Sequence, residues 1–356
     1  MHSEDKQVLS WSCPRPREGQ EFVTLAHGGG GLLTHRLIKN IFHKAFSNDM
    51  LGEMNDAAVL HLNTTDRIAI STDSFVVQPM EFPGGDIGML AVHGTVNDLA
   101  MMGAKPAYLT AGFILEEGLP LTVLERIVQS MANAARETGV TIVAGDTKVV
   151  DHGHGDGIFI NTTGIGVYAQ DCRVGSDRVT EDDCIIISGD LGRHGIAIMA
   201  ARDNLTDALG FESDTCNLAP VVSQLMQSGI DIHWMRDLTR GGLSSAVNEL
   251  VEAAHCGVHL IEEHIYVHPE VQGLCELLGL DPLYVANEGR FMMVLPEHDA
   301  EQALAILNEH KSDDYAQPSL IGHINSKTPG RVTLESQIGV ERILDMMSGE
   351  QLPRIC

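Results

Sequence analysis

The sequence predicts an α/β chain of the α+β type, divided into two domains. Three observations carry this. Short β-branched runs alternate with helix-period segments along both halves, as at 141–144 and 121–138. A polar, turn-rich stretch over 169–183 separates the halves. An apolar content of 44% over 356 residues is enough to bury two cores. The expected division is an N-terminal arm over 1–25, an N-terminal domain over 26–170, a C-terminal α/β domain over 171–345 and a flexible tail over 346–356.

The arm carries Trp11, Pro14 and Pro16 and no recognisable chemistry. Four glycines, Gly28 to Gly31, precede an apolar-periodic helix over 33–46. Glycines there let backbone N–H groups approach an anion, although a flexible tether has the same composition. Strands follow over 57–62 and 67–72, with a turn at Asn63. The first opens with Asn55-Asp56 and the second runs out into Thr72-Asp73-Ser74. The helix over 88–102 places Met89, Val92, Val96 and Leu99 on one face, with Asn97 at its flank and Asp98 opposite. A strand over 106–115 and an amphipathic helix over 121–138, stopped by Gly139, come next. The short strand 141–144 delivers Gly145-Asp146-Thr147-Lys148, and a glycine-rich turn over 151–157 leads into a strand over 158–168.

The second half repeats the style. A strand over 184–188 passes through Gly189 to a helix starting near Gly192. Asp237-Leu238-Thr239-Arg240-Gly241-Gly242 opens a helix over 243–254, and Asn287-Glu288-Gly289-Arg290 precedes a strand over 291–295. Gly349 and Pro353 loosen the final segment, which ends in Cys356. A thiol on a mobile arm suits a group loaded in one place and processed in another.

Composition excludes several functions. With 49 acidic against 23 basic residues the net charge is −26, which repels phosphate backbones, so no nucleic-acid partner is expected. No apolar run approaches the roughly 20 residues that span a bilayer, and residues 1–20 lack the apolar centre of a signal peptide. No membrane partner and a cytoplasmic location are the expectation. Seven cysteines without a CxxC pair fit neither a disulfide framework nor a structural zinc site. His152-Gly153-His154 sits among glycines and reads as an exposed hairpin loop rather than a metal site.

Asp56, Asp73, Asp98 and Asp146 recur at element edges among small residues. Each alone could cap a helix or close a turn. Together they suit a hard cation lying between carboxylates and phosphate oxygens. Asp237 and Thr239 could cap the following helix, while Arg240 with two glycines could contact an anion or a loop there. Glu288 is either a solvated turn residue or a functional acid.

Taken in order, these motifs and the terminal Pro353-Arg354-Ile355-Cys356 resemble the HypE family of hydrogenase maturation factors. Those are carbamoyl dehydratases of the aminoimidazole ribonucleotide synthetase-like (PurM-like) superfamily. The likeness runs from about Ala26 onward. Asn55 stands where relatives often carry an acid, and residues 1–20 have no counterpart. The resemblance implies a two-domain aminoimidazole ribonucleotide synthetase-like fold whose N-terminal domains pair into a β-barrel in a homodimer. It implies that a carbamoyltransferase, HypF, loads the Cys356 thiol. ATP, with Mg²⁺, then drives dehydration of the S-carbamoyl group to an S-cyano group, which a HypC–HypD complex receives for the iron of nickel–iron hydrogenase. Carried onto this chain, the catalytic residues are Cys356, Lys148 and Glu288. The nucleotide residues are Gly28, Gly30, Asp56, Asp73, Asn97, Asp98, Asp146 and Thr147, with Asp56, Asp98 and Asp146 on the metal. A selenophosphate synthetase-like enzyme would need a cysteine or selenocysteine and a lysine in the glycine-rich segment, and 26–31 has neither. A non-catalytic maturation scaffold would dock the tail on a partner without turnover.

Overall fold

The computed structural model describes residues 21–24, 27, 32–48, 67–168, 173–203, 210–311, 316–346 and 355–356. The expected strand 57–62 and arm 1–20 lie outside these. Near the N-terminus, α1 (Leu32–Leu37) passes through a π turn, Ile38–Phe42, into α2 (His43–Phe46). Phe42 is buried there with its ring 4.7 Å from that of Phe113.

The N-terminal domain is built on a four-stranded sheet in the order β1 (Ile68–Phe75), β6 (Ile158–Val167), β4 (Lys105–Glu116), β5 (Thr141–Val150). Between β1 and β4, the two-residue strands β2 (Glu81–Phe82) and β3 (Gly85–Asp86) form a small hairpin ahead of α3 (Ile87–Met101). Strands β4 and β5 run parallel, as a crossover through α4 (Leu121–Thr138) requires. Strict alternation sends Leu109, Ala111, Phe113 and Leu115 towards the helices. Ile68, Ile70 and Ile114 stay exposed on the opposite face. Asp86 caps α3, its carboxylate accepting from the N–H groups of Gly88 and Met89 at 2.7 and 2.9 Å. At Gly88 the helix crosses α4 so closely that a Cβ would lie 2.4 Å from the Ile127 carbonyl oxygen.

The C-terminal domain carries a seven-stranded sheet. Its strands are β7 (Cys184–Ile187), β8 (Trp234–Asp237), β9 (Gly257–Ile261), β10 (Phe291–Leu295), β11 (Ser319–Asn325), β12 (Val332–Glu335) and β13 (Glu341–Ile343). Their order is β13-β12-β9-β11-β7-β10-β8, antiparallel except for β12 on β9. The central β7 and β10 are buried on both faces, which is why they read as unbroken apolar runs. Ile185 and Ile187 face a core with α7 (Gly242–Ala254), while Ile186 faces another with α6 (Ala219–Gln227) and α9 (Ala300–Glu309). Helices α5 (Arg193–Arg202) and α8 (Pro269–Leu278) complete this half.

Three expectations need correction. Strand β1 continues to Phe75, so Asp73 and Ser74 lie within it. Asp146, Thr147 and Lys148 likewise belong to β5 rather than to a loop after it. Helix α3 has no solvent face: Leu90, Val92 and Val96 pack in the N-terminal core, while Ala100 and Met101 pack in the core around α6. Asp98, expected opposite the apolar face, therefore meets protein as well. Among the described residues no helix is long and apolar enough to cross a membrane.

Candidate functional site

The end of β1, the C-terminal half of α3 and three C-terminal loops converge on one cleft. β1 presents Asp73, whose carboxylate meets Arg240 at 3.4 Å across the domain junction. One strand position pair earlier, Ser71 donates its hydroxyl to Asp98 of α3 at 2.6 Å. β8 ends in buried Asp237, and the loop after it carries Arg240. The turn before β10 supplies Glu288, which is 3% exposed.

The tail tip closes the cleft. Val76 donates its N–H to the Cys356 main-chain oxygen at 3.1 Å. Ile355 is buried against the N-terminal core, with Cys356 packed beside it. The expected free arm thus ends in two docked residues; the path over 347–354 lies outside the described residues.

Crowding of acids sets the electrostatics. Burial pushes the Asp98 carboxyl up, and the neighbouring Asp73 charge adds to this against the Ser71 hydrogen bond. Burial, reinforced by Asp98, raises Asp237 to about 7. Glu288 is driven well above the carboxylate range by burial, then by Asp237 and Asp214. The Cys356 thiol is pushed up to about 12 by burial and by Glu288, with Arg240 opposing. A docked thiol of this kind is protonated and a poor nucleophile.

A buried frame holds Glu288 in place. Asp214 accepts the N–H groups of Glu288 and Gly289 at 3.2 and 3.1 Å. Arg290 binds Asp190 through Nη2 at 2.7 Å and Nε at 3.0 Å. Asn287 accepts from Gly192 N–H at 2.7 Å and donates to the Leu238 carbonyl at 3.0 Å. A Cβ at Gly289 would fall 1.8 Å from the Asp214 carbonyl oxygen, so that position admits only hydrogen. Among the described residues, Glu288 Oε1 has no hydrogen-bond partner.

The structure thus brings Cys356, Glu288, Asp73 and Asp98 together and adds Asp237 and Arg240. Asn97 adjoins them, but its amide is committed. It donates to the Cys216 carbonyl at 3.0 Å and to that of Glu288 at 3.4 Å, and accepts from Leu218 N–H at 2.8 Å. Asp146 and Lys148 stand apart. They pair at 2.7 Å on the outer face of β5, the strand farthest from β1, while Thr147 between them points inward. Asp56, Gly28 and Gly30 lie outside the described residues. Among the described residues, no three imidazole, thiol or carboxyl groups are arranged to hold a metal ion. Asp237 does not cap the following helix: α7 begins at Gly242, its N-cap is Gly241, and no side chain caps it. Sequence reasoning passed over His194, whose only signal was its place between Arg193 and Gly195 at a glycine-rich helix start.

Comparison with known proteins matches residues 54–168 to the AIR synthase related protein N-terminal domain and residues 180–335 to its C-terminal domain. Carbamoyl dehydratase HypE of Azotobacter vinelandii is 46% identical over 334 residues, covering 94% of this chain and 97% of the relative. A crystal structure of the hydrogenase maturation protein HypE in complex with ATP superposes with a TM-score of 0.89 at 48% identity, covering 93% of this chain and 99% of that one. A HypE–HypF complex superposes with a TM-score of 0.75 at 44% identity, covering 87% and 99%. The two-sheet architecture, the acidic cleft with the terminal cysteine docked in it, and these likenesses agree: the chain belongs to the HypE carbamoyl dehydratase family, on the AIR synthase-related fold.

Proposed function

We propose that the protein uses ATP to dehydrate an S-carbamoyl group on its own Cys356 to an S-cyano group, supplying cyanide ligands for the iron of nickel–iron hydrogenase. The observation that carries this is the docking of the tail tip in the cleft, where Val76 N–H holds the Cys356 main-chain oxygen at 3.1 Å and the thiol feels the charges of Glu288 and Arg240. The reaction balances as S-carbamoyl plus ATP giving S-cyano, ADP and phosphate, the amide oxygen leaving on phosphate while the nitrogen gives up two protons. An amide oxygen leaves poorly until phosphorylated, so a nucleotide is the co-substrate this chemistry needs.

Glu288 suits the proton-accepting role, because a carboxyl raised well above its ordinary range is a stronger base than one in water. Arg240, at the mouth of the cleft, offsets developing negative charge. The elevation of Asp98 by burial and Asp73, and of Asp237 by burial and Asp98, marks a place that favours a cation. Mg²⁺ takes one or two carboxylates and completes its shell with water and phosphate, so Asp98, with Asp73, fits it without a closed ligand nest. Bound there, the ion would supply charge neutralisation for the nucleotide.

Asp146 and Lys148 face away from this cleft within one protomer. The exposed Ile68, Ile70 and Ile114 lie on the same sheet face, which suits pairing with a second copy into a barrel. In that homodimer Asp146, Thr147 and Lys148 would serve the partner's cleft. A HypF-type carbamoyltransferase loads the tail and a HypC–HypD complex receives the cyano group, which carries a cytoplasmic location with it. The test is intact mass after incubation with the carbamoyltransferase, carbamoyl phosphate and Mg²⁺–ATP. Wild type should gain the cyano adduct of about 25 Da expected for substitution of a thiol hydrogen, and Cys356→Ala should not. An equal adduct on Cys356→Ala would overturn the reading.

A further inference from the structure

His194 has no part in the chemistry above, yet it is fully buried and both ring nitrogens are committed. Its Nε2 lies 2.8 Å from the main-chain oxygen of Ile355. A carbonyl oxygen only accepts, so Nε2 carries a proton. Burial keeps the imidazole neutral by lowering its pKa, which leaves Nδ1 as an acceptor. Ser213 Oγ–H donates to Nδ1 at 2.8 Å. Having given its one proton, Ser213 must accept from Thr215 Oγ1 at 2.8 Å, and it also accepts the Thr215 N–H at 3.2 Å. The polarity of the chain is fixed from the Thr215 hydroxyl to the Ile355 carbonyl. Phe82 meets the ring edge-on, 5.5 Å between centroids. Four segments distant in sequence therefore meet at one imidazole: β2, the start of α5, the loop before α6 and the tail.

We propose that His194 is a positioning residue, a latch that grips the tail by the Ile355 carbonyl and so fixes the Cys356 thiol, one residue on, in the cleft. The inference rests on the reading of Cys356 as the carbamoyl acceptor. The tail must leave to be loaded and return to be processed, so this bond biases the balance between docked and free. Losing one buried hydrogen bond should shift that balance about ten-fold.

The full-length protein can be treated with iodoacetamide, without ATP or carbamoyl donor, and alkylation of Cys356 followed on its C-terminal peptide by mass spectrometry. Wild type should react slowly and His194→Phe about ten-fold faster, the size of one buried hydrogen bond. His194→Gln, whose side-chain amide can place a donor near the Nε2 position, should stay close to wild type. Ser213→Ala, which frees the ring to turn, should fall between. In single turnover, His194→Phe should load up to about ten-fold faster, because loading draws on the free tail that the weakened bond releases. A folded His194→Phe alkylated at the wild-type rate overturns the latch. So does His194→Gln reacting as fast as His194→Phe, since ring packing alone would then be the cause. If His194→Phe does not fold, a Ser213→Ala rate equal to wild type overturns it. Absence of any cyano adduct in wild type would sink the acceptor reading instead, and the alkylation result would still decide the latch.

Discussion

Asp214 receives the main-chain N–H of Glu288 at 3.2 Å, so the carboxyl proposed as base is aimed by a second, buried carboxylate 74 residues away. Asp214 also takes the N–H of Gly289, and its charge faces Arg290. Replacing it strands two buried donors and leaves part of the Arg290 charge unbalanced. Asp214→Ala should cost about 2–4 kcal/mol in denaturant unfolding, the range for breaking a buried charged network. A loss under ~0.5 kcal/mol, the size of an ordinary surface substitution, would show that the turn stands without it.

Stability should fall as pH rises towards neutrality. Asp237 releases its proton near pH 4 in the unfolded chain, as any aspartate does, but only at about 7 in the fold. Between those values the native state holds the extra proton, so stability declines with rising pH and the loss is complete above about 7. Asp237→Asn should therefore be the more stable protein at pH 8, by on the order of 2 kcal/mol, with a smaller gain at pH 5. Melting curves at the two pH values check this; a variant gaining equally at both would refute the burial argument.

Glu288 must be ionised to accept an amide proton, and its burial holds it protonated well above the ordinary range. Single-turnover formation of the S-cyano group should accordingly speed up as pH rises. Glu288→Gln should lower that rate roughly 10²–10⁴-fold while sparing ATP binding, as expected for loss of a general base. A rate profile in wild type as flat as that of Glu288→Gln would remove Glu288 from proton transfer.

Lys148 and Glu288 occupy opposite sides of the N-terminal sheet, so within one protomer they do not share a site. If they cooperate across a dimer, mixed dimers of Lys148→Ala with Glu288→Gln should recover activity that neither homodimer has. In each mixed dimer one cleft then holds both native residues. Light scattering establishes the dimer, and mixing without recovery would assign Lys148 to another task.

Much of this was legible locally. Helix α4 and its Gly139 stop, and strand β10, fall where periodicity and end signals place them, because each faces its core in a single simple pattern. Helix α3 defeats the same reasoning: a period of apolar residues marks one buried face and cannot announce a second. The side of the sheet taken by Asp73 or Asp146 depends on counting positions inside a strand, so a boundary placed a few residues short hides it. A cap role for Asp237 stayed open in the sequence because the strand ends at Asp237 itself and α7 begins only at Gly242, bounds visible only in three dimensions. At the tail, proline and glycine spoke for mobility, while Ile355, an apolar side chain at the tip of a polar arm, was the one hint of docking.

Helix α3 contributes Leu90 and Val92 to one core and Ala100 and Met101 to the other, and its Asn97 bonds across the junction. Modular descent would then have been constrained: neither half could have been exchanged for an unrelated module without stranding apolar side chains on a helix they have in common. Two genes split within 169–183 should yield fragments that are insoluble apart and regain structure on co-expression, the halves serving as each other's folding template.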